Sequence, residues 1–189
     1  QKTFDMVRFL FVGYIIYQKN LELLIEAGNR LFEKGYRNFR ISINGACDNW
    51  LFYQEKIRYP EVFECHPDFR PNSELPNLYQ SSHYAVYPYR RVSQSGALKV
   101  AFFYNVPVIV PSIGSFKEEV VEGINGYYFE VCNVDSLVGL MERLLRKDLS
   151  AYTGLVSRMK EYTRLHYSNE AMVRAYTELF DNVINYKKR

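Results

Sequence analysis

Apolar residues along the chain fall into short dense runs, separated by longer segments in which they recur every three or four positions. The runs are Arg8 to Gly13, Arg40 to Asn44, Glu61 to Cys65, Tyr84 to Tyr87, Val108 to Val110 and Tyr127 to Glu130. Short, nearly continuous apolar runs of this kind predict strands buried on both faces of a parallel sheet. The segment after the first run places Leu21, Leu24, Ile25, Gly28, Leu31 and Phe32 on one helical face, with Gly35 placed to end it. Further helices are predicted from Ser73, over Gln94 to Tyr104 with Gly96 in the first turn, and over about Ser115 to Val121 with a stop at Gly123. Asp135 is placed to cap a helix carrying Leu137, Leu140, Met141, Leu144 and Leu145, and two more helices are predicted over 149–166 and 169–186. Strands alternating with helices in this way make a six-stranded, mainly parallel sheet between helical layers: an α/β, three-layer, Rossmann-like domain. No internal repeat or linker divides the chain, so residues 1–189 read as one domain.

Composition narrows the class. Of 189 residues, 48% are hydrophobic and 24% charged, enough to bury a core and too apolar for a disordered chain. The longest apolar or glycine stretch, Phe9 to Tyr17, is nine residues, far below the ~20 that span a bilayer. The net charge of +3 is matched by the stretch 157–189, with seven basic and four acidic side chains, which is too mild a bias for nucleic acid. Lys187-Lys188-Arg189 carry three of those charges; a solvated terminus is the expectation, with contact to acidic lipid the alternative. Cys47, Cys65 and Cys132 are scattered and odd in number, as expected for reduced thiols of a cytosolic chain. The first residue is Gln1 and no signal sequence follows, so the chain is expected to begin inside a larger protein.

Candidate chemistry sits in the turns after strands, because a doubly wound sheet binds ligands at the carboxyl ends of its strands, under helix N-termini. The first such turn, Gly13-Tyr14-Ile15-Ile16-Tyr17-Gln18-Lys19, brings a glycine and a lysine to a helix start. The Lys19 charge opposes the helix dipole there, a conflict an anionic ligand removes and solvent merely tolerates. The second, Pro88 to Gly96, gathers Arg90, Arg91, Ser93, Gln94, Ser95 and Gly96. Ser93 reads as the helix cap, and the amides of Gln94, Ser95 and Gly96 can meet phosphate or sugar oxygens. The alternative is a capped helix start whose glycine serves tight packing. The third, Pro111 to Glu118, offers a carboxylate, Glu118, either to a sugar hydroxyl or to the helix dipole.

In order and spacing these segments resemble the C-terminal half of a GT-B glycosyltransferase of the group 1 family. The resemblance runs from Phe11-Val12-Gly13 and Lys19 to Ala27, through Glu74 to Tyr79, Tyr87-Pro88-Tyr89 and Ser93-Gln94-Ser95-Gly96, to Asn105 to Val110, Gly114, Glu118 and Gly123-Ile124-Asn125-Gly126. It implies a donor-binding domain that, joined to an N-terminal half holding the acceptor site, transfers a hexose from a nucleotide-diphosphate sugar with retention. Lys19 is then the diphosphate contact, Gly13 its close turn, Ser93 to Gly96 the hold on phosphate or sugar, and Glu64-Cys65-His66 the loop whose backbone holds the base. The implied partners are a nucleotide sugar and a glycan or lipid-linked acceptor, without cofactor or metal. The full-length protein is expected in the cytoplasm, at the inner face of the membrane, making surface glycan.

Two features depart from the family. Tyr14 stands where an arginine usually follows the first glycine, and the usual pair of glutamates around Gly96 is absent. Arg90 or Arg91 is a candidate substitute for that arginine at the diphosphate. Catalytic residues are expected in the missing half, since no carboxylate pair or Ser, His, Asp set is evident. His66, His83 and His166 are isolated and read as packing or loop residues, Asp68 and Asp135 as turn and cap residues. Tyr14, Tyr17, Tyr87 and Tyr89 either stack on a bound ring or cover the sheet edge. Other readings are a non-catalytic nucleotide-binding module and a flavodoxin-like interaction domain.

Overall fold

The computed structural model describes residues 4–186; Gln1 and the Lys187-Lys188-Arg189 cluster lie outside the described residues. Six strands form the sheet: β1 Val7–Val12, β2 Phe39–Asn44, β3 Phe63–His66, β4 Tyr84–Val86, β5 Val108–Pro111 and β6 Gly126–Phe129. Their order is β3-β2-β1-β4-β5-β6, and every pairing is parallel. The chain therefore winds outward from β1 to one edge, then returns to the other side of β1 through β4. That reversal opens a crevice above the carboxyl ends of β1 and β4. The order differs from the 2-1-3-4-5 of flavodoxin-like sheets and excludes that reading.

The helices are α1 Leu21–Glu33, α2 Trp50–Gln54, α3 Leu75–Ser81, α4 Gly96–Phe103, α5 Phe116–Glu119, α6 Val134–Leu145, α7 Leu149–Tyr167 and α8 Asn169–Tyr186. Short α2 has no signal in the hydrophobic period, because a five-residue helix completes little more than one turn. Phe9, Leu10, Phe11, Ile41, Ile43, Val108, Ile109 and Val110 are wholly buried between the layers. Gly28 is where α1 comes down on the sheet: a Cβ there would lie 2.6 Å from Ile41 Cδ1 and from Phe63 Cζ. His83 is a packing residue, its Nδ1 accepting from the Arg8 amide at 3.0 Å beside the β1–β4 pairing.

Two cap assignments shift. The α6 cap is Asn133, whose side chain accepts from the Ser136 amide, and Asp135 falls in the first turn. The α4 cap is Ser95 rather than Ser93, with its hydroxyl accepting from the Leu98 amide, so the helix begins at Gly96 and not at Gln94. In both places several capping residues adjoin, and tertiary packing selects among them. At the other end α8 leaves Met172, Val173, Tyr176, Leu179, Phe180 and Val183 exposed along one stripe. No helix of the described residues is long and apolar enough to cross a membrane.

Gly28→Ala should lower stability by about 1–3 kcal/mol through overpacking under α1. Gly139→Ala, on α6 where a Cβ meets nothing within 4 Å, should raise it by about 0.5–1 kcal/mol. Urea midpoints of the two variants check both signs.

Candidate functional site

The carboxyl-end loops are laced together before any ligand arrives. Gly13, at φ +144°, donates its amide to Asn44 O at 3.0 Å, and Ile15 donates to Ala46 O at 2.8 Å, so the chain past β1 runs alongside the chain past β2. Gly45 sits against Gly13, where a Cβ would lie 2.1 Å from the Gly13 carbonyl oxygen, and its amide reaches His66 O at 3.1 Å. Only glycine fits at Gly45, because both its φ of +146° and that contact exclude a side chain.

Across the crevice, a 3-10 turn at Tyr17–Lys19 precedes α1, and Asn20 follows it in the left-handed region at φ 52°. The Asn20 amide donates to Pro88 O at 3.1 Å, tying the β1 loop to the β4 loop. Lys19 is thus the last residue of a 3-10 turn, not part of the first turn of α1. Its ammonium lies 3.7 Å over the face of Tyr89, and it has no carboxylate partner among the described residues. Burial pushes its pKa down. Tyr89 is buried, its phenol beside the Ser95 hydroxyl, and burial drives its pKa far up, so the platform under Lys19 stays neutral.

Arg90 closes the same junction. Its amide donates to Gln18 O at 2.9 Å and its guanidinium donates to Glu22 at 2.5 Å, stacks 4.4 Å from the Tyr17 ring and reaches Cys132 Sγ at 3.7 Å. With these ties Arg90 holds the lysine turn, and Arg91, exposed and without an ion pair among the described residues, is the guanidinium left free. Ser93, Gln94 and Gly96 are exposed at the start of α4, while Ser95 is buried by its capping role. A Cβ on Gly96 would meet nothing within 4 Å, so this glycine is not there for helix-to-sheet packing. The space above it adjoins the unpaired amides of the first turn of α4, a site for an anion.

The β5 loop is drawn in by Gly114, at φ +44°, where a Cβ would lie 2.0 Å from the Val92 carbonyl oxygen. Phe116 packs on Tyr89 at 5.5 Å, bringing α5 to the same edge. Glu118 is exposed there without an ion pair among the described residues, whereas its neighbour Glu119 pairs with Lys99 of α4. The segment matched to the base-holding backbone lies in β3 itself, and its side chains diverge. Glu64 accepts from Arg8 with both carboxylate oxygens at 2.9 Å, on the sheet face. Cys65 instead lines a cavity of about 490 Å³ with Trp50, Ile57, Pro60 and Phe63, and burial pushes its thiol up to about 11. His66 alone is exposed at the strand end. Sequence reasoning missed Asn20, Gly45, the Arg90–Glu22 tie and Asp48, which accepts from the Tyr14 hydroxyl at 2.6 Å. An asparagine just before an amphipathic run and a glycine just after a strand are the signals available for the first two.

A six-stranded parallel sheet in this order, flanked by helices and with Lys19 and the amino end of α4 on either side of its switch point, defines a doubly wound, Rossmann-like α/β domain. Residues 5–166 match the family described as glycosyl transferases group 1, and the chain belongs to that family. An uncharacterised glycosyltransferase of Methanocaldococcus jannaschii is 30% identical over 146 residues, 75% of this chain and 36% of that protein, so the chain spans little more than a third of its relative. The C-terminal domain of a group 1 glycosyl transferase, LpcC, from Francisella tularensis has the same fold, with a TM-score of 0.75 at 16% identity, covering 86% of this chain and 87% of that one. A variant of TarM from S. aureus, solved with fondaparinux, alpha-GlcNAc-glycerol and UDP, aligns with a TM-score of 0.79 at 16% identity over 95% of this chain and 36% of that one.

Because the folded state depresses the Lys19 pKa, the unfolded chain binds the extra proton, and stability should rise with pH between the lowered value and the ordinary lysine range. Lys19→Met should flatten that rise without lowering the melting temperature at neutral pH, as thermal melts of both proteins across pH 8–11 will show.

Proposed function

We propose that this domain holds the diphosphate of a nucleotide sugar in the crevice between the β1 and β4 loops and, within the whole protein, presents a hexose for retaining transfer to an acceptor hydroxyl of a growing glycan. The observation that carries the reading is Lys19, a partly desolvated cation without a carboxylate, aimed across a neutral Tyr89 beside the open amino end of α4. Keeping a lysine there costs stability in the empty protein. A diphosphate offsets the cost by supplying the missing anion, and the helix amides take its remaining oxygens.

The chemistry follows from the same groups. As the bond from the sugar to the diphosphate breaks, negative charge grows on the departing oxygen. Fixed positive charge at Lys19, and at Arg91 if it closes in, stabilises that charge more than it stabilises the ground state. The acceptor side belongs to the part of the protein beyond this domain, where a glycan or lipid-linked acceptor and any contact with a membrane surface would also reside. A second reading, a nucleotide-binding module without transfer, is favoured by one observation: the residue after Gly13 is a phenol bound to Asp48 rather than a cation.

Calorimetric titration with UDP, GDP, ADP and dTDP tests the binding claim. One nucleotide should bind saturably, and Lys19→Ala and Gly96→Val should each weaken it about tenfold or more. Gly96→Val should leave the fold intact, since its side chain enters open space. Silence with all four on folded protein would overturn the reading. Transfer of sugar by the whole protein, abolished by Lys19→Ala, separates the enzyme from the binding module.

A further inference from the structure

We infer that Asp48, held by Tyr14, is the acceptor for the ribose hydroxyls of the bound nucleotide, an inference that rests on the diphosphate reading above. The argument is one of order along the sheet edge. Groups suited to phosphate, Lys19 and the amino end of α4, lie at the β1/β4 crevice. From there a nucleotide must extend one way or the other. Toward β5 the way is closed, because the β4 loop lies against the β5 loop with the Val92 carbonyl pressed on Gly114. Toward β2 and β3 the edge presents exposed Tyr14, Asp48 and His66.

Strands are spaced about 4.8 Å apart, so β1 to β3 spans roughly 10 Å. The ribose, covalently between diphosphate and base, then lies over the ends of β1 and β2. The Tyr14–Asp48 pair stands at that point. The chain past β1 and the chain past β2 are joined there by the Ile15–Ala46 hydrogen bond and the bridge of Ile15 to Cys47, which brings the neighbouring Tyr14 and Asp48 together. The Tyr14 hydroxyl donates to Asp48 Oδ2 at 2.6 Å, and Oδ1 has no hydrogen bond among the described residues.

The chemistry selects the occupant. Asp48 has no cationic partner among the described residues, and a carboxylate repels phosphate; what it accepts are hydroxyl protons, and a vicinal diol offers two. Tyr14 cannot donate to the ligand and to Asp48 at once, so its role is positioning: it fixes the carboxylate and leaves one oxygen turned to the ligand. A carboxylate following β2 in a sheet of order 3-2-1-4-5-6 meets the ribose of dinucleotides in other proteins for the same geometric reason.

Binding of UDP, its 2′,3′-dideoxy analogue and inorganic pyrophosphate to the domain tests the inference, with the matching GDP and ADP pairs run in parallel. Asp48→Asn, an exposed and isosteric change, should weaken the preferred nucleotide about tenfold while leaving its dideoxy analogue and pyrophosphate within about twofold of wild type. Tyr14→Phe should weaken the same nucleotide by a smaller factor and likewise spare the dideoxy analogue. Equal loss for the nucleotide and its dideoxy analogue, or no loss for either, overturns the assignment. Lys19→Met serves as the separate control. It should weaken pyrophosphate as well as the nucleotides, and if it does not, the diphosphate reading fails and the ribose assignment fails with it. If Lys19→Met behaves as expected and Asp48→Asn does not, the ribose assignment alone is lost.

Discussion

One hydrogen bond organises the crevice: the Asn20 side-chain amide donating to the Pro88 carbonyl. Together with the backbone hydrogen bond from Arg90 to Gln18 O, it joins the loops that leave β1 and β4 beyond the end of their sheet pairing. Asn20 reaches Pro88 because its backbone is left-handed, a conformation that asparagine tolerates better than most side chains. That same kink ends the Tyr17–Lys19 turn and starts α1, so Lys19 is delivered above Tyr89 and not out into solvent. Arg90 then fastens the turn from the β4 side through Gln18, Tyr17 and Glu22.

With this frame, charge at the site divides by role. Arg90 is neutralised by Glu22 within the frame, and Lys99 by Glu119 beneath it. Lys19 is left desolvated and uncompensated. A cation kept in that condition raises the energy of the empty domain, and binding an anion recovers it. On the function proposed above, a preference for a phosphate-bearing ligand would be built into the folded state before any ligand contact is formed.

Most of the architecture was legible because each β-strand is an apolar run with turn residues at its ends. All six sequence-predicted strands occur, with every end within two residues of its predicted place. What the sequence hid was tertiary in origin. Ser93 and Ser95 both suit a cap, and only the burial of Ser95 against Tyr89 decides between them. Arg90 and Arg91 are adjacent and chemically alike, yet one meets Glu22, 68 residues away, while the other faces solvent. Glu64 and Cys65 sit next to each other in β3 but point their side chains to opposite faces of the sheet, as alternation requires, so of the three only His66 presents its side chain at the strand end.

The departure at Tyr14 shows how such a replacement is absorbed. A phenol after Gly13 brings no positive charge, but it brings a donor that captures Asp48 across the joined β1 and β2 loops. Hydrogen bonding to that carboxylate pushes the Tyr14 pKa up, so the phenol stays a neutral donor in the pair. The crevice thereby acquires polarity along its length, cationic at β1/β4 and anionic at β1/β2. A ligand with phosphate at one end and neutral hydroxyls next to it matches that gradient, whereas a free polyanion extended along the same edge would meet repulsion at Asp48. On the proposed reading, a phenol in place of a cation narrows what the crevice would accept, exchanging general attraction for phosphate against discrimination between a nucleotide and a bare phosphate chain.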